Sequence, residues 1–127
     1  EFIDLNMMNY GNIYKGKGVK IAVSDSGLQL THEDLMNNIL PNASKNYDLA
    51  FPYIGDPGIE GTQGDHGTSV AGIIAAEDGN QKGGRGIASE ASIAGLNYIS
   101  SSQNLATTID QASGDFDIFN QIKEKTQ

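Results

Sequence analysis

Apolar and polar positions fall into short blocks along this chain, and their period changes from block to block. Gly18-Val19-Lys20-Ile21-Ala22-Val23-Ser24 alternates toward β-branched residues and stops at Asp25-Ser26-Gly27. That is the pattern of a short buried strand closed by a turn, with Asp25 at its C-terminal end. Thr31-His32-Glu33-Asp34 has the Thr-x-x-acid spacing of a capping box ahead of Leu35 and Met36, which predicts a short helix from His32 ended by Asn37 and Asn38. From Pro41 to Gly64 the chain holds all 3 of its prolines and no sustained period, so it reads as a long surface excursion. At His66 the period becomes helical. Val70, Ile73, Ile74 and Glu77 fall at i, i+3, i+4 and i+7, with Ala71, Gly72, Ala75 and Ala76 between them, as in a buried helix packed closely on something flat. Asp78 to Gly84 is a polar loop whose glycines can adopt positive φ. A strand is predicted over 91–99, a short helix over 105–112, and the start of another strand at Phe116-Asp117-Ile118-Phe119. Strand and helix alternate, which predicts an α/β fold with a parallel sheet.

Composition sets the scale. A chain of 127 residues with 38% hydrophobic side chains can bury one core of moderate size and so form one small domain. Its 16 acidic against 8 basic side chains leave a formal charge of −8, and the basic residues form no dense cluster. Such a surface repels phosphate backbones, which argues against a nucleic-acid partner. The longest apolar run, Val70 to Ala76, is far shorter than the roughly 20 residues that cross a bilayer, so no membrane span is predicted. The absence of Cys excludes a disulfide scaffold, a zinc–thiolate site and a cysteine nucleophile together. With neither an initiator Met nor a charged-then-apolar leader ahead of it, Glu1 reads as the start of a processed or trimmed chain.

Two segments carry candidate chemistry: Ala22-Val23-Ser24-Asp25-Ser26-Gly27 and Asp65-His66-Gly67-Thr68-Ser69-Val70-Ala71-Gly72. The first puts a carboxylate where a buried strand ends, and the second puts an imidazole in the first turn of a buried helix. A buried Asp that accepts from one imidazole nitrogen fixes the tautomer and leaves the other nitrogen as a general base toward a hydroxyl. Taken singly, each residue has a plainer reading, the Asp as a turn or cap residue and the His as a helix-start residue, which is also how His32 reads. Ser69 is a poor nucleophile, because it lies three residues from His66 on the same helix turn without a separate pair of oxyanion donors. Asn42-Ala43-Ser44 fits the glycosylation triplet, a pattern short enough to arise by chance.

In this order and with these flanks, the two segments resemble the Asp and His boxes of the subtilisin-like serine proteases, whose triad runs Asp, His, Ser along the chain. Asp4-Leu5-Asn6, Tyr14-Lys15-Gly16-Lys17-Gly18-Val19 and the segment from Gly27 to Leu35 resemble the kexin and furin branch. The resemblance places residues 1–120 in the N-terminal part of a peptidase catalytic domain and leaves 121–127 as a polar tail that departs from the family. It implies an incomplete three-layer α/β parallel sheet of the subtilisin-like kind, with Asp25 and His66 as the triad acid and base. It also implies a Ca²⁺ site, with side-chain ligands Asp34 and Asn80 and backbone carbonyls from Glu77, Lys82 and Gly84. The plainer alternative is that Asp34 occupies a helical position and Asn80 turns a loop. A secreted enzyme acting on polypeptides is implied, partnered by the rest of its domain or by a propeptide.

Departures from the family pattern qualify that picture. Kexin-like enzymes carry a second acid directly after the triad Asp, where it contacts a basic substrate residue; this chain has Ser26, which puts a preference for basic residues in question. No Gly-Thr-Ser-x-Ala nucleophile segment follows the His box within these residues, nor does the oxyanion-hole Asn segment. The 127 residues alone are therefore expected to lack triad activity. A non-catalytic product that binds a protein partner through an exposed sheet edge, or a calcium-stabilised structural module, are the competing expectations.

Overall fold

The computed structural model describes residues 13–46 and 64–97. Its first strand, β1 (Lys20–Asp25), is followed by a 3₁₀ turn over Met36–Asn38 and a two-residue strand, β2 (Lys45–Asn46). Helix α1 (Gly64–Ala75) and strand β3 (Ser92–Asn97) complete the set. The sheet is parallel with order β1-β3-β2, so the last strand lies in the middle. β1 pairs with β3 from Lys20↔Ser92 to Asp25↔Asn97, while β2 pairs at Lys45↔Leu96 and Asn46↔Asn97. An isolated bridge, Ile39↔Ile93, extends the second seam. As the central strand, β3 is buried continuously from Ile93 to Asn97, as expected where neighbours flank a parallel strand on both sides.

Parallel neighbours need a crossover, and α1 supplies it. The helix turns Gly67, Ala71 and Ala75 inward, all buried and spaced at i, i+4 and i+8. Small side chains there let the helix approach the sheet closely. The core gathers Val23, Leu28, Leu35, Ala71, Ala75, Ala76 and Ile93, with Ile21, Ile39, Val70 and Ile74 packed at its border. Because successive strand residues alternate between faces, Asp25 shares the Ile21 and Val23 face, which is the face α1 covers.

The C-terminal end of α1 is fully accounted for. The last four carbonyls of a helix lack intrahelical donors. Here Gly72 O accepts from Ala76 N–H, Ile73 O from Ile87 N–H and Ile74 O from Ala88 N–H, while Ala75 O accepts from Asn38 Nδ2. The chain returning toward β3 therefore caps the helix, together with one side chain from the 3₁₀ turn.

The helix expected from His32 is not present. Met36 N–H reaches His32 O for a single turn, after which only the 3₁₀ turn follows. The capping box fails because Asp34 is engaged elsewhere. Its N–H donates to His32 Nδ1, and its carboxylate accepts from Asn80 and Gly84 on a distant loop. The other differences are smaller. The helix expected from His66 begins at Gly64, and the first strand runs over Lys20–Asp25. The excursion after Pro41 contains β2, which is too short to leave a period in the sequence. The expected helix over 105–112, the strand from Phe116 and the 121–127 tail lie outside the described residues. No described helix is long and apolar enough to cross a membrane.

Candidate active site

Asp25 ends β1 directly beside Asn97 at the end of β3, so it stands at the carboxyl edge of the sheet. In open parallel sheets that edge is where ligands bind. His66, in the first turns of α1, presents Nδ1 to both carboxylate oxygens, 2.8 Å from Oδ1 and 3.0 Å from Oδ2. An ionised carboxylate only accepts, so Nδ1 donates to it, and in the neutral form of the ring that leaves the lone pair on Nε2. The Asp25 side chain is 12% exposed and that of His66 is 72% exposed. One end of the pair is thus held inside the protein while the basic nitrogen belongs to an open ring.

The residues flanking each box dock the helix onto the turn. Gly67 packs against the Gly27 carbonyl so closely that a Cβ would collide with that oxygen, and Gly27 itself has φ 126, a conformation other residues rarely adopt. Gly67 N–H donates to Ser26 Oγ at 3.3 Å, and Gln29 N–H donates to Thr68 Oγ1 at 3.0 Å. Ser26, Gly27 and Gln29 meet Gly67 and Thr68, and these three contacts fix the first turns of the helix relative to the strand end. The Ser26 and Thr68 contacts were not legible in the spacing, since a hydroxyl beside either box could equally face solvent.

Burial pushes the Asp25 carboxyl up, but hydrogen bonds from His66, from Ser26 N–H (2.6 Å to Oδ1) and from the Ser26 hydroxyl outweigh it. The positive charge that His66 can carry adds to them, and the net result lies below the usual carboxylate value. Asp25 therefore stays ionised wherever His66 is a useful base.

The expected metal residues form a second cluster behind the helix. Asp34 is buried, and its carboxylate accepts from Asn80 Nδ2 at 2.7 Å and from Gly84 N–H at 3.2 Å. Gly83 crosses so near that a Cβ there would strike Asp34 Oδ2. Glu77 N–H donates to Asp34 O, the Glu77 carboxylate accepts from Asn37 Nδ2, and Lys82 pairs with Glu33 at 3.3 Å. The structure thus brings Asp34, Asn80 and Gly84 into contact, with Glu77 and Lys82 on the same loop. Asn80 Oδ1 accepts from Lys82 N–H, so it is the amide nitrogen that faces Asp34. Among the described residues, no three His, Cys, Asp or Glu side chains gather at one point. A cation here would draw on amide and carbonyl oxygens beside one carboxylate, a donor set that suits Ca²⁺. The loop is also tied forward to the segment before β1, where Lys15 Nζ meets Asp78 Oδ2 at 2.9 Å.

A parallel α/β sheet that brings a strand-end Asp against a helix-borne His supplies two of the three groups that a Ser-His-Asp site uses. The chain belongs to the subtilase family, whose family model matches residues 16–122. It is 42% identical over 113 residues to the Aeromonas extracellular serine protease of Aeromonas sobria, covering 84% of this chain and 17% of that protein. It is 32% identical over 112 residues to neuroendocrine convertase 2 of Bos taurus, covering 87% of this chain and 17% of the relative. The solved Aeromonas sobria serine protease in complex with the chaperone ORF2 superposes with a TM-score of 0.62 at 40% identity, over 71% of this chain and 14% of the other. The chain therefore corresponds to the N-terminal region of subtilase proteins and spans 17% of the length of these curated relatives.

Proposed function

We propose that this chain is the Asp- and His-bearing part of a secreted, calcium-stabilised, kexin-like serine endopeptidase whose nucleophilic Ser lies outside these 127 residues. The observation that carries the proposal is the pairing of His66 Nδ1 with both oxygens of a buried, ionised Asp25 while the ring stays open. In this reading Asp25 holds the imidazole in the tautomer that leaves Nε2 basic. His66 Nε2 takes the proton of the Ser hydroxyl as it attacks a peptide carbonyl, then returns it to the leaving amine. Asp25 stabilises the imidazolium between the two transfers.

The likeness to an extracellular protease and to a convertase supports secretion and the kexin-like branch. Polypeptide is the substrate class, and the net charge of −8 favours cationic segments through long-range attraction that salt screens. A preference for basic residues cannot come from Ser26, which is buried. Asp34 and Asn80 would hold Ca²⁺ with carbonyls of Glu77, Lys82 and Gly84, and the ion would lock the loop after α1 against the segment around Asp34. The partner is the remainder of the domain, or a propeptide or chaperone that covers the sheet.

The test is to read the coding sequence past Gln127 and assay the whole product on unfolded polypeptide. A downstream Gly-Thr-Ser-x-Ala segment, with activity abolished by His66→Ala, is the expected result. A stop codon directly after Gln127 would overturn the reading in favour of a binding role.

A further inference from the structure

We propose that Lys15 is a latch: its ammonium, set between Asp78 and Glu90, ties the segment entering β1 to the loop that follows α1, so that ordering either one orders the other. The latch stands apart from the catalytic pairing, and only the part played by Ca²⁺ rests on the function proposed above.

The loop has little else to hold it. From Asp78 to Arg85 the sequence is Asp-Gly-Asn-Gln-Lys-Gly-Gly-Arg, with no apolar side chain to bury. Its glycines widen the range of conformations that must be given up when it is ordered. A segment without apolar anchors opens at low free energy, so polar ties decide whether this one stays closed. On one side Asn80 and Gly84 bond to the Asp34 carboxylate, and Lys82 pairs with Glu33. On the other side stands Lys15, 63 residues away in sequence, with Nζ 2.9 Å from Asp78 Oδ2.

Most exposed ion pairs contribute little, because two long side chains must be fixed to make one contact. Lys15 differs in several respects. Its side chain and that of Asp78 are each 29% exposed. The ammonium also stands 3.8 Å from Glu90 Oε1, and Asp78 Oδ2 faces Arg85 Nε at 3.8 Å, so charges of alternating sign run from Glu90 through Lys15 and Asp78 to Arg85. The lysine backbone is already pinned, since Lys15 O accepts from Glu90 N–H at 2.8 Å. Beside it Gly16, at φ 77, packs so tightly that an added Cβ would stand 2.9 Å from the Ala88 Cβ and 3.1 Å from the Ala91 Cβ. A side chain that starts from a pinned point gives up less freedom in closing its contact. Val19 N–H then donates to Gly16 O, and Val19 O accepts from Ser92 N–H, which carries the pinning to the starts of β1 and β3. Coupling of this kind is reciprocal: whatever orders the loop, a bound cation included, tightens the segment entering β1 by the same free energy.

The experiment is amide hydrogen exchange on the whole protease, unmodified and as Lys15→Met, Lys15→Arg and Asp78→Asn, each with chelator and with excess Ca²⁺. Without Ca²⁺, Lys15→Met is expected to speed exchange across residues 79–84 about fivefold, and Asp78→Asn to speed it at Val19 and Glu90 by a similar factor. Unchanged protection of Ile93 and Ala94 in β3 shows that each variant keeps the fold, and Lys15→Arg, which retains the charge, restores the loop. Ca²⁺ added to the unmodified enzyme slows exchange at Val19 and Glu90 as well as in the loop, whereas in Lys15→Met it slows the loop alone. Loop exchange in Ca²⁺-free Lys15→Met equal to that of the unmodified enzyme would overturn the latch. So would protection of Val19 and Glu90 by Ca²⁺ to the same degree with and without Lys15. Loop exchange in the unmodified enzyme that ignores Ca²⁺ would instead remove the cation from the proposed function, and the Ca²⁺-free comparison would still decide the latch.

Discussion

The backbone of Gly67 lies directly on the carbonyl of Gly27, and a Cβ added at Gly67 would collide with that oxygen while standing 3.2 Å from the Asp25 Cβ. This contact sets how near α1 can come to the end of β1, and with it the reach of His66 to Asp25. Gly67→Ala is expected to cost about 1–3 kcal/mol by overpacking and to disrupt the His66–Asp25 pair. On the same helix, a Cβ at Gly72 meets nothing within 4 Å. Gly72→Ala should therefore gain helix propensity, up to about 1 kcal/mol. Thermal unfolding of the two variants should give shifts of opposite sign; equal losses would contradict the packing argument.

Asp25→Asn tests the acceptor role without changing shape. The amide can offer its nitrogen to Nδ1, which reverses the tautomer and removes the basic lone pair from Nε2. In the whole protease kcat should fall by about 10⁴ with the fold intact. A fall under tenfold would show that the orientation of His66 does not depend on this carboxylate.

Acid should weaken the fold through the same residue. The Asp25 carboxyl titrates below its usual value in the folded protein. A group depressed in this way contributes stability above its unfolded pKa, about 3.9, and loses it as pH falls through the folded value. Urea midpoints measured between pH 5 and pH 2 should therefore fall more steeply for the unmodified protein than for Asp25→Asn. Parallel curves would mean that the pair adds nothing to folding.

Calcium should raise the melting temperature. A ligand that binds only the folded state adds about 2.7 kcal/mol when present at a hundred times its Kd. Asp34→Ala should abolish that shift. Gly83→Ala should reduce it, since its Cβ would strike the Asp34 carboxylate and its φ of +46 disfavours a side chain. No shift in saturating Ca²⁺ for the unmodified protein would remove the ion from the proposal.

Asn38 is a structural tie rather than a candidate for chemistry. Its Nδ2 donates to Ala75 O at 2.9 Å and to Ser89 O at 2.8 Å, so it caps α1 and anchors the approach to β3. Asn38→Ala leaves both carbonyls short of a donor and should cost about 1–3 kcal/mol. Denaturant unfolding measures the loss, and a change within error would mean that water replaces the amide.

Local period and the order of the two boxes determined a good part of this protein. The β-branched run before Asp25 made β1, and the apolar positions after Val70 with small residues between them made a helix able to lie close to a sheet. These readings survive because repeating burial leaves a repeating pattern in any window of the chain. Tertiary structure decided the rest. Thr31 to Asp34 has the spacing of a helix start, yet the Asp34 carboxylate is bound by Asn80 and Gly84, 46 and 50 residues away. Those donors compete with the local cap, and only the fold brings them within reach. Ser26 stands where the kexin-like pattern has an acid that contacts substrate, and only the fold shows it buried, accepting from Gly67 N–H. β2 exists only because the central strand offers it a free edge, with no period of its own to announce it. A single long-range hydrogen bond imposes no periodicity, so what a side chain does when it meets a partner from another part of the chain is settled when the sheet and helix close on each other.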